Sequence, residues 1–342
     1  SEVHKKSPIG SLVMTFGCRF ACPYCPIPAY NQRQHRMKSP ARIADEMVRL
    51  NREYGLRYFF GTDDNFFNNI DRTMDILENL AGVSIDGKPL RKKIRWGTEV
   101  TVHDTLRMKD HLSLVRKGGV RALWLGVEDM TATLVKKGQS EDKTCEVFRL
   151  LAKTGILPMP MLMHHDSQPL YSRGERAYGL LNQVQLLRKA GAVSLQGLMI
   201  TPATGSKCYE QTYESGMVYE SAGGRKLETY MLDGNYVAAS GHPKPWRKQF
   251  NIMAAYLYFY NPFRFAMAII RPKSRLFLID AIPQVLGMWG LAYTVRRTFG
   301  WALRLMTGHI KRFTHEPRSA VPIHKLDNPP TLTNTQQRSE IS

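Results

Sequence analysis

Short apolar runs alternate with longer amphipathic stretches over residues 9–200. The six runs are Ile9–Thr15, Leu56–Phe60, Ile94–Trp96, Arg121–Val127, Ile156–Met163 and Val193–Ile200. Each run has the length of a buried strand, and most of the stretches between them are long enough for a helix. Strands that alternate with helices in this way predict a parallel sheet covered by helices.

The amphipathic stretches carry the start and stop signals of helices. Ser39 followed by Pro40 is typical of an N-cap and a first helical residue, and apolar residues then recur every three or four positions up to Gly55. Further helices are predicted over Ser140–Gly155 and Leu180–Gly191, and with weaker patterns around Ile70–Leu80 and Leu106–Val115.

The number of strand–helix units limits the possible folds. Six units are too few for a complete eight-stranded barrel, so the pattern fits an open partial barrel or a doubly wound sheet. In both folds the reactive groups lie at the carboxyl ends of the strands. Candidate chemistry is therefore sought directly after each apolar run.

Residues 206–313 have a different character. Residues 216–241 are Gly-rich and irregular, whereas residues 243–318 contain thirteen Lys and Arg against two acids. The apolar run Leu276–Val295 could span a bilayer in length, but Asp280, Pro283 and Gln284 interrupt it, which favours an amphipathic or interfacial pair of helices. A soluble helical cap packed on the barrel is the alternative.

The composition excludes several classes of protein. The 342 residues are 43% hydrophobic and 23% charged, as in globular rather than disordered or fibrous chains. A net charge of +19 indicates an anionic partner, and five cysteines are too few for a secreted disulfide scaffold. We expect a domain of alternating strands and helices over 1–205, a basic helical region over 206–313 and a disordered tail over 314–342.

Three cysteines follow the first apolar run with the spacing Cys-x3-Cys-x2-Cys. Cys18, Cys22 and Cys25 lie on one short loop, and Tyr24 directly precedes the third. Three thiolates can hold three irons of a cubane cluster and leave the fourth iron open to a ligand. A zinc site with His35 as fourth ligand is the alternative, although zinc sites commonly pair CxxC units from two places.

This motif resembles the signature of the radical S-adenosylmethionine (SAM) superfamily, CxxxCxΦC, with Tyr24 as Φ. The resemblance covers about residues 9–205 and implies a partial (β/α)6 barrel, similar to a TIM barrel, with a [4Fe–4S] cluster on the three cysteines. It also implies that SAM binds the open iron and is cleaved by one-electron reduction to methionine and a 5′-deoxyadenosyl radical. An electron donor such as flavodoxin or ferredoxin would supply the electron.

Other strand ends are interpreted through the same resemblance. Asp63 and Asp64 belong to Gly61-Thr62-Asp63-Asp64-Asn65-Phe66, which is similar to a turn in members that have an upstream cobalamin-binding domain. The resemblance implies that these acids meet the ammonium group of SAM, and that nearby polar groups bind its ribose, methionine moiety and adenine. The cofactor-binding candidates are Tyr24, Asp63, Asp64, Glu99, Glu128, Thr201 and Pro202. His164 and His165 depart from the family pattern, and they either face substrate or pack at the rim.

The sequence thus indicates a radical SAM enzyme of the cobalamin-associated type, with its cobalamin domain outside this chain. We expect methylation or rearrangement of an unactivated carbon in a small apolar substrate, such as a lipid or terpenoid. We also expect a cytoplasmic protein whose residues 243–313 contact an anionic membrane surface. The alternatives are an RNA-modifying radical enzyme and a non-catalytic iron–sulfur protein.

Overall fold

Six parallel strands form the main sheet of the chain. The computed structural model describes residues 8–32, 34–270 and 277–317. The strands are β1 (Ile9–Leu12), β2 (Tyr58–Gly61), β3 (Arg95–Thr101), β4 (Val120–Glu128), β5 (Leu157–His164) and β6 (Gln196–Met199). Their order in the sheet is their order in the chain. A doubly wound sheet would reverse direction partway, so the architecture is the partial barrel.

Helices connect successive strands of the sheet. They are α1 (Pro40–Tyr54), α2 (Ile70–Gly82), α3 (Val102–Arg107), α4 (Leu112–Lys117), α5 (Glu141–Thr154) and α6 (Leu180–Ala190). The Ser39 hydroxyl accepts a hydrogen bond from the Arg42 amide at the start of α1, and Gly55 ends the helix with a φ of 68°. Shorter helices occupy Ile27–Tyr30, Leu90–Lys93 and Tyr209–Glu214.

The helix predicted around Leu106–Val115 is two helices with a 3-10 turn between them. The turn covers Lys109–His111, and the Met108 amide at its start bonds to the carbonyls of both Asp104 and Thr105. The first helix starts earlier than predicted because Thr101 caps it through the Asp104 amide. Sequence periodicity did not show this break.

The region after β6 contains a small sheet as well as helices. A strand at Tyr219–Ala222 pairs antiparallel with Arg225–Lys226 and with Ile310–Arg312. Part of the segment predicted to be irregular is therefore a hairpin. Three further helices are α7 (Pro245–Phe259), α8 (Pro262–Ile270) and α9 (Phe277–Thr307).

Helix α7 covers the free edge of β6. The Tyr256 hydroxyl accepts a hydrogen bond from the Gly197 amide at 3.0 Å, and the Tyr260 hydroxyl accepts one from the Leu195 amide at 2.8 Å. These bonds satisfy backbone groups that an open sheet would leave unpaired. The same helix packs on α6.

Helix α9 differs from the predicted pair of helices, because one helix runs through Pro283 from Phe277 to Thr307. The run Leu276–Val295 begins outside the described residues, as does most of the predicted tail, residues 318–342. Among the helices that the structure describes, none combines the length and apolar character needed to cross a bilayer.

Candidate active site

The three cysteines lie on a loop that leaves the sheet directly after β1. The loop begins after the short strand Thr15–Phe16 and ends before Arg36–Met37, and these two strands pair antiparallel. Gly17 has a φ of 90°, and a Cβ there would collide with the carbonyl oxygen of Gln34. Glycine is therefore required where the two sides of the loop come together.

The cysteine side chains are shielded and influence one another. Cys22 is buried, whereas Cys18 and Cys25 are half-buried. Burial raises the pKa of Cys18 and raises the pKa of Cys25 to about 11, while the cation of Lys137 acts in the opposite direction on both. Three sulfur donors on one loop fit a [4Fe–4S] cluster, and ligation would remove their protons.

The structure also bears on the alternative zinc site. Within the described ranges, no three side chains among His, Cys, Asp and Glu meet at the distances that a single metal ion requires. His35 is half-buried, and its Nε2 atom has no hydrogen-bond partner in the described part of the chain. Burial lowers the pKa of His35. The nearby Arg72 cation acts in the same direction, and the Asp64 carboxylate acts in the opposite one.

The two acids after β2 contact the chain itself. Asp63 is 2% exposed, and its Oδ1 atom accepts hydrogen bonds from the amides of Met14 at 2.9 Å and Thr15 at 2.7 Å. Its Oδ2 atom accepts one from the Thr98 hydroxyl at 2.5 Å. Asp64 accepts a hydrogen bond from the Gly17 amide at 2.6 Å. Both carboxylates thus hold the strand end that leads into the cysteine loop.

Glu99 presents a carboxylate without a visible partner. It lies within β3, two residues before the carboxyl end of the strand rather than after it, and makes no hydrogen bond or ion pair within the residues that the structure describes. Burial, followed by repulsion from Asp63, Asp64 and Glu128, raises the pKa of Glu99 to about 7. A carboxylate in this state can accept hydrogen bonds from an ammonium group or a hydroxyl group of a ligand.

Glu128 ends β4 in a left-handed conformation, with a φ of 58° next to an irregularity in the strand register. Such a conformation is uncommon for a residue other than glycine and is a feature of functional sites. Its carboxylate forms an ion pair with Lys137 at 2.9 Å, and the Lys137 side chain is 9% exposed. Burial opposes the charge on Lys137, but Glu128 and Cys22 outweigh it and raise its pKa.

Lys137 is the residue that sequence reasoning missed. It lies nine positions after Glu128 in an irregular segment, where neither periodicity nor spacing marks it. Tyr24, by contrast, was marked by the motif. Its hydroxyl is buried without a partner in the described part of the chain, and burial together with Glu128 raises its pKa.

A cavity of about 330 Å³ lies at the carboxyl ends of β5 and β6. Five of its twelve lining residues are apolar, namely Leu134, Met199, Ile200, Met217 and Ala239, and the polar members include His164, His165, Asp166 and Thr201. Pro202 follows directly in the chain and is buried. Of the two predicted residues after β6, Thr201 therefore lines this cavity.

The two histidines at this cavity differ in their surroundings. His164 is fully buried, with Nδ1 at 2.7 Å from Gln168 and Nε2 at 3.0 Å from Asn251, and burial lowers its pKa to about 3. His164 is therefore a neutral packing residue. His165 is 6% exposed, and its Nε2 atom has no partner in the described ranges, so it can bind a ligand in the cavity.

Of the two remaining cysteines, Cys145 is buried in α5 and Cys208 is half-buried near the cysteine loop. The Cys208 amide donates a hydrogen bond to the carbonyl of Pro23 at 3.1 Å. The segment after β6 thus returns to the loop after β1 and narrows the open side of the barrel mouth.

A comparison with known families agrees with this geometry. Residues 12–167 match the family model described as the Radical SAM superfamily, a range that includes the cysteine loop, β2–β5 and the pair Glu128–Lys137. Residues 12–167 of the chain are a radical SAM domain. Radical SAM proteins carry a [4Fe–4S] cluster and bind SAM, and the three thiols described above fit such a cluster.

Individual relatives of this chain are distant. It is 30% identical over 131 residues to hopanoid C-2 methylase from Rhodopseudomonas palustris, covering 37% of this chain and 24% of that protein. It is 30% identical over 235 residues to anaerobic magnesium-protoporphyrin IX monomethyl ester cyclase from Synechocystis, covering 68% and 43%. The chain spans 23–43% of the length of the curated relatives it matches.

The fold also occurs in a solved structure of a radical SAM methyltransferase, TsrM from Kitasatospora setae, which was determined with cobalamin and a [4Fe–4S] cluster bound. The TM-score is 0.53 at 17% identity, over 68% of this chain and 46% of that one. At this identity the likeness shows the shared fold.

Proposed function

We propose that this chain forms the catalytic core of an enzyme that reductively cleaves SAM and modifies an unactivated carbon of a small apolar substrate. The observation that carries the proposal is the position of the cysteine loop, at the carboxyl end of β1 and facing the mouth of a six-stranded partial barrel. When bound, the cluster would supply the electron that cleaves SAM, and Cys18, Cys22 and Cys25 would hold it.

The surrounding side chains have distinct tasks in this proposal. Lys137 places a shielded positive charge beside Cys18 and Cys22 and partly balances the charge of the thiolates. Glu99 provides an acceptor for the ammonium group or ribose of SAM, and the ring of Tyr24 provides an apolar surface for its adenine. Thr201 and Pro202 belong to the segment after β6, at the carboxyl end of that strand.

The substrate class rests on the cavity and on the relatives. Five apolar side chains line the cavity at β5 and β6, which suits a lipid-like or terpenoid substrate with few polar groups. Hopanoid C-2 methylase acts, by its name, on a hopanoid, and TsrM was solved with cobalamin. We therefore favour methylation of a lipid-like substrate, with cobalamin held outside the residues of this chain.

Reconstitution of the cluster tests the proposal directly. Protein treated anaerobically with iron and sulfide is expected to hold about four of each, the stoichiometry of a cubane. Cys18→Ala, Cys22→Ala and Cys25→Ala should lose the cluster, whereas Cys145→Ala and Cys208→Ala should retain it. Stoichiometric zinc without sulfide would contradict the proposal. A cluster that survives all three substitutions in the loop would do the same.

An exposed apolar face on α8 and α9 supports contact with a membrane surface. Phe263 is 82% exposed and Trp289 is 77% exposed, and Leu286, Trp289 and Tyr293 lie on one side of α9. The Arg297 guanidinium lies 5.4 Å from the centre of the Tyr293 ring. Aromatic residues beside arginine are typical of helices at the interface of an anionic bilayer.

Vesicle co-sedimentation tests this contact. We expect binding to vesicles that contain phosphatidylserine, weaker binding to phosphatidylcholine alone, and loss of the difference at high salt, because each basic residue contributes about 1 kcal/mol near an anionic surface. Trp289→Ser should weaken binding, and Tyr171→Ser, a change at an exposed tyrosine elsewhere, should not. Equal and negligible binding to both vesicles, together with salt-dependent RNA binding, would favour an RNA substrate instead.

A further inference from the structure

Four polar side chains that follow β2 all contact the segment that carries the first cysteine. They are Asp63, Asp64, Asn65 and Asn68, and their partners include Met14, Thr15, Gly17, Cys18 and Arg19. The two segments are separated by nearly fifty residues in the chain, so the contacts fix the loop by tertiary structure rather than by its own turns.

Asp64 joins the two sides of the cysteine loop. Its Oδ2 atom accepts hydrogen bonds from the Gly17 amide at 2.6 Å and from the Asn31 side-chain amide at 2.9 Å. Gly17 directly precedes Cys18, and Asn31 follows the short helix after Cys25. One carboxylate oxygen thus holds both sides of the segment that contains all three cysteines.

Asn65 and Asn68 contact the first cysteine and the residue after it. Asn65 is fully buried, donates a hydrogen bond to Asp104 at 2.8 Å, and has its side-chain nitrogen 3.9 Å from the Cys18 sulfur. Asn68 accepts a hydrogen bond from the Arg19 amide at 2.9 Å. The Arg19 guanidinium in turn bonds to the Asn68 carbonyl and forms an ion pair with Asp104.

These contacts give the acids a different task from the one expected by resemblance. We propose that Asp64, with Asn65 and Asn68, is a positioning residue that clamps the cysteine loop in the shape that receives the cluster, and that Asp64 is not the ligand of the SAM ammonium group. Both Asp64 oxygens already accept hydrogen bonds from the loop, Oδ2 from Gly17 and Asn31 and Oδ1 from the Tyr30 hydroxyl at 3.4 Å. The inference rests on the cluster of the proposed function.

The test compares retention of the cluster with SAM affinity. Reconstituted wild type, Asp64→Ala, Asp64→Asn and Asp45→Ala are exposed anaerobically to an iron chelator, and SAM binding per intact cluster is measured by equilibrium dialysis. Asp45 is an exposed acid on α1 and serves as the matched control. The Asp64→Ala variant lacks the carboxylate that accepts these hydrogen bonds, so the chelator should remove its iron roughly tenfold faster or more. Asp64→Asn keeps one acceptor oxygen and should be intermediate, and SAM affinity should change less than about twofold.

The other outcomes separate the clamp from a role of Asp64 as a SAM ligand. Iron loss at the wild-type rate with weakened SAM binding would overturn the clamp and make Asp64 a cofactor ligand. Should Asp64→Ala fail to fold by circular dichroism, Asp64→Asn and Asn68→Ala carry the same comparison, and wild-type iron loss in both would equally overturn it. A wild-type protein that holds no cluster at all would instead contradict the proposed function.

Discussion

Glu99 shows at the scale of one residue how the fold prepares a site before any ligand arrives. Its carboxylate is shielded near three other acids and contacts no cation in the described part of the chain, and its pKa is raised to about 7. Shielding a carboxylate near other acids lowers the stability of the fold, and a residue with only a structural role would not need such a carboxylate. We therefore expect Glu99 to face a ligand.

We expect Glu99→Gln to stabilise the protein above pH 7. The unfolded chain releases the Glu99 proton near pH 4.5 and the folded chain near pH 7, so the wild type loses stability as the pH rises between these values. The glutamine variant lacks this loss, and the difference should reach on the order of 2 kcal/mol. Urea unfolding between pH 5 and pH 8 measures it, with Glu78→Gln on α2 as the exposed control. Parallel stability curves for all three proteins would show that Glu99 ionises normally.

Several individual residues could not be assigned from the sequence. The motif identified the three cysteines and Tyr24, because their chemistry follows from local spacing. The resemblance predicts that Asp63 and Asp64 are cofactor ligands, because nothing in the sequence shows that their oxygens meet the amides of Met14 and Gly17. Contact between Asp63 and SAM stays a prediction.

At the scale of elements, the helices with local signals were predictable and the edge contacts were not. Ser39 and Gly55 bound α1 because a side-chain cap and a left-handed glycine act within one turn. The bonds from Tyr256 and Tyr260 to β6 join positions about sixty residues apart. Periodicity within α7 gave no indication of them.

Tyr256→Phe should destabilise the fold by about 1–3 kcal/mol, because it leaves the Gly197 amide on the edge of β6 without a partner. The free energy of unfolding in urea measures the effect. Tyr171→Phe is the matched control, since Tyr171 is 57% exposed, and should change stability by less than about 0.5 kcal/mol. If the two variants are equally stable, water replaces the Tyr256 hydroxyl as the partner of the Gly197 amide at the edge of β6.

At the scale of the whole molecule, residues after 206 complete the barrel mouth. The Lys248 ammonium on α7 is buried and donates hydrogen bonds to the carbonyls of His165 and Gln168 beyond β5. Asp166 in the same loop accepts hydrogen bonds from Ser240 and Gly241. The predicted division at 205 and 206 stays a prediction, but the loop that carries His165 depends on residues from both sides of it.

Cleavage of SAM by the reduced, reconstituted protein tests the central claim most directly. The account predicts that 5′-deoxyadenosine and methionine form together, even slowly and without substrate, and that Cys22→Ala forms neither while Cys145→Ala forms both. Liquid chromatography with mass spectrometry measures the two products. Unchanged SAM in the presence of a fully loaded and reduced cluster would contradict the account.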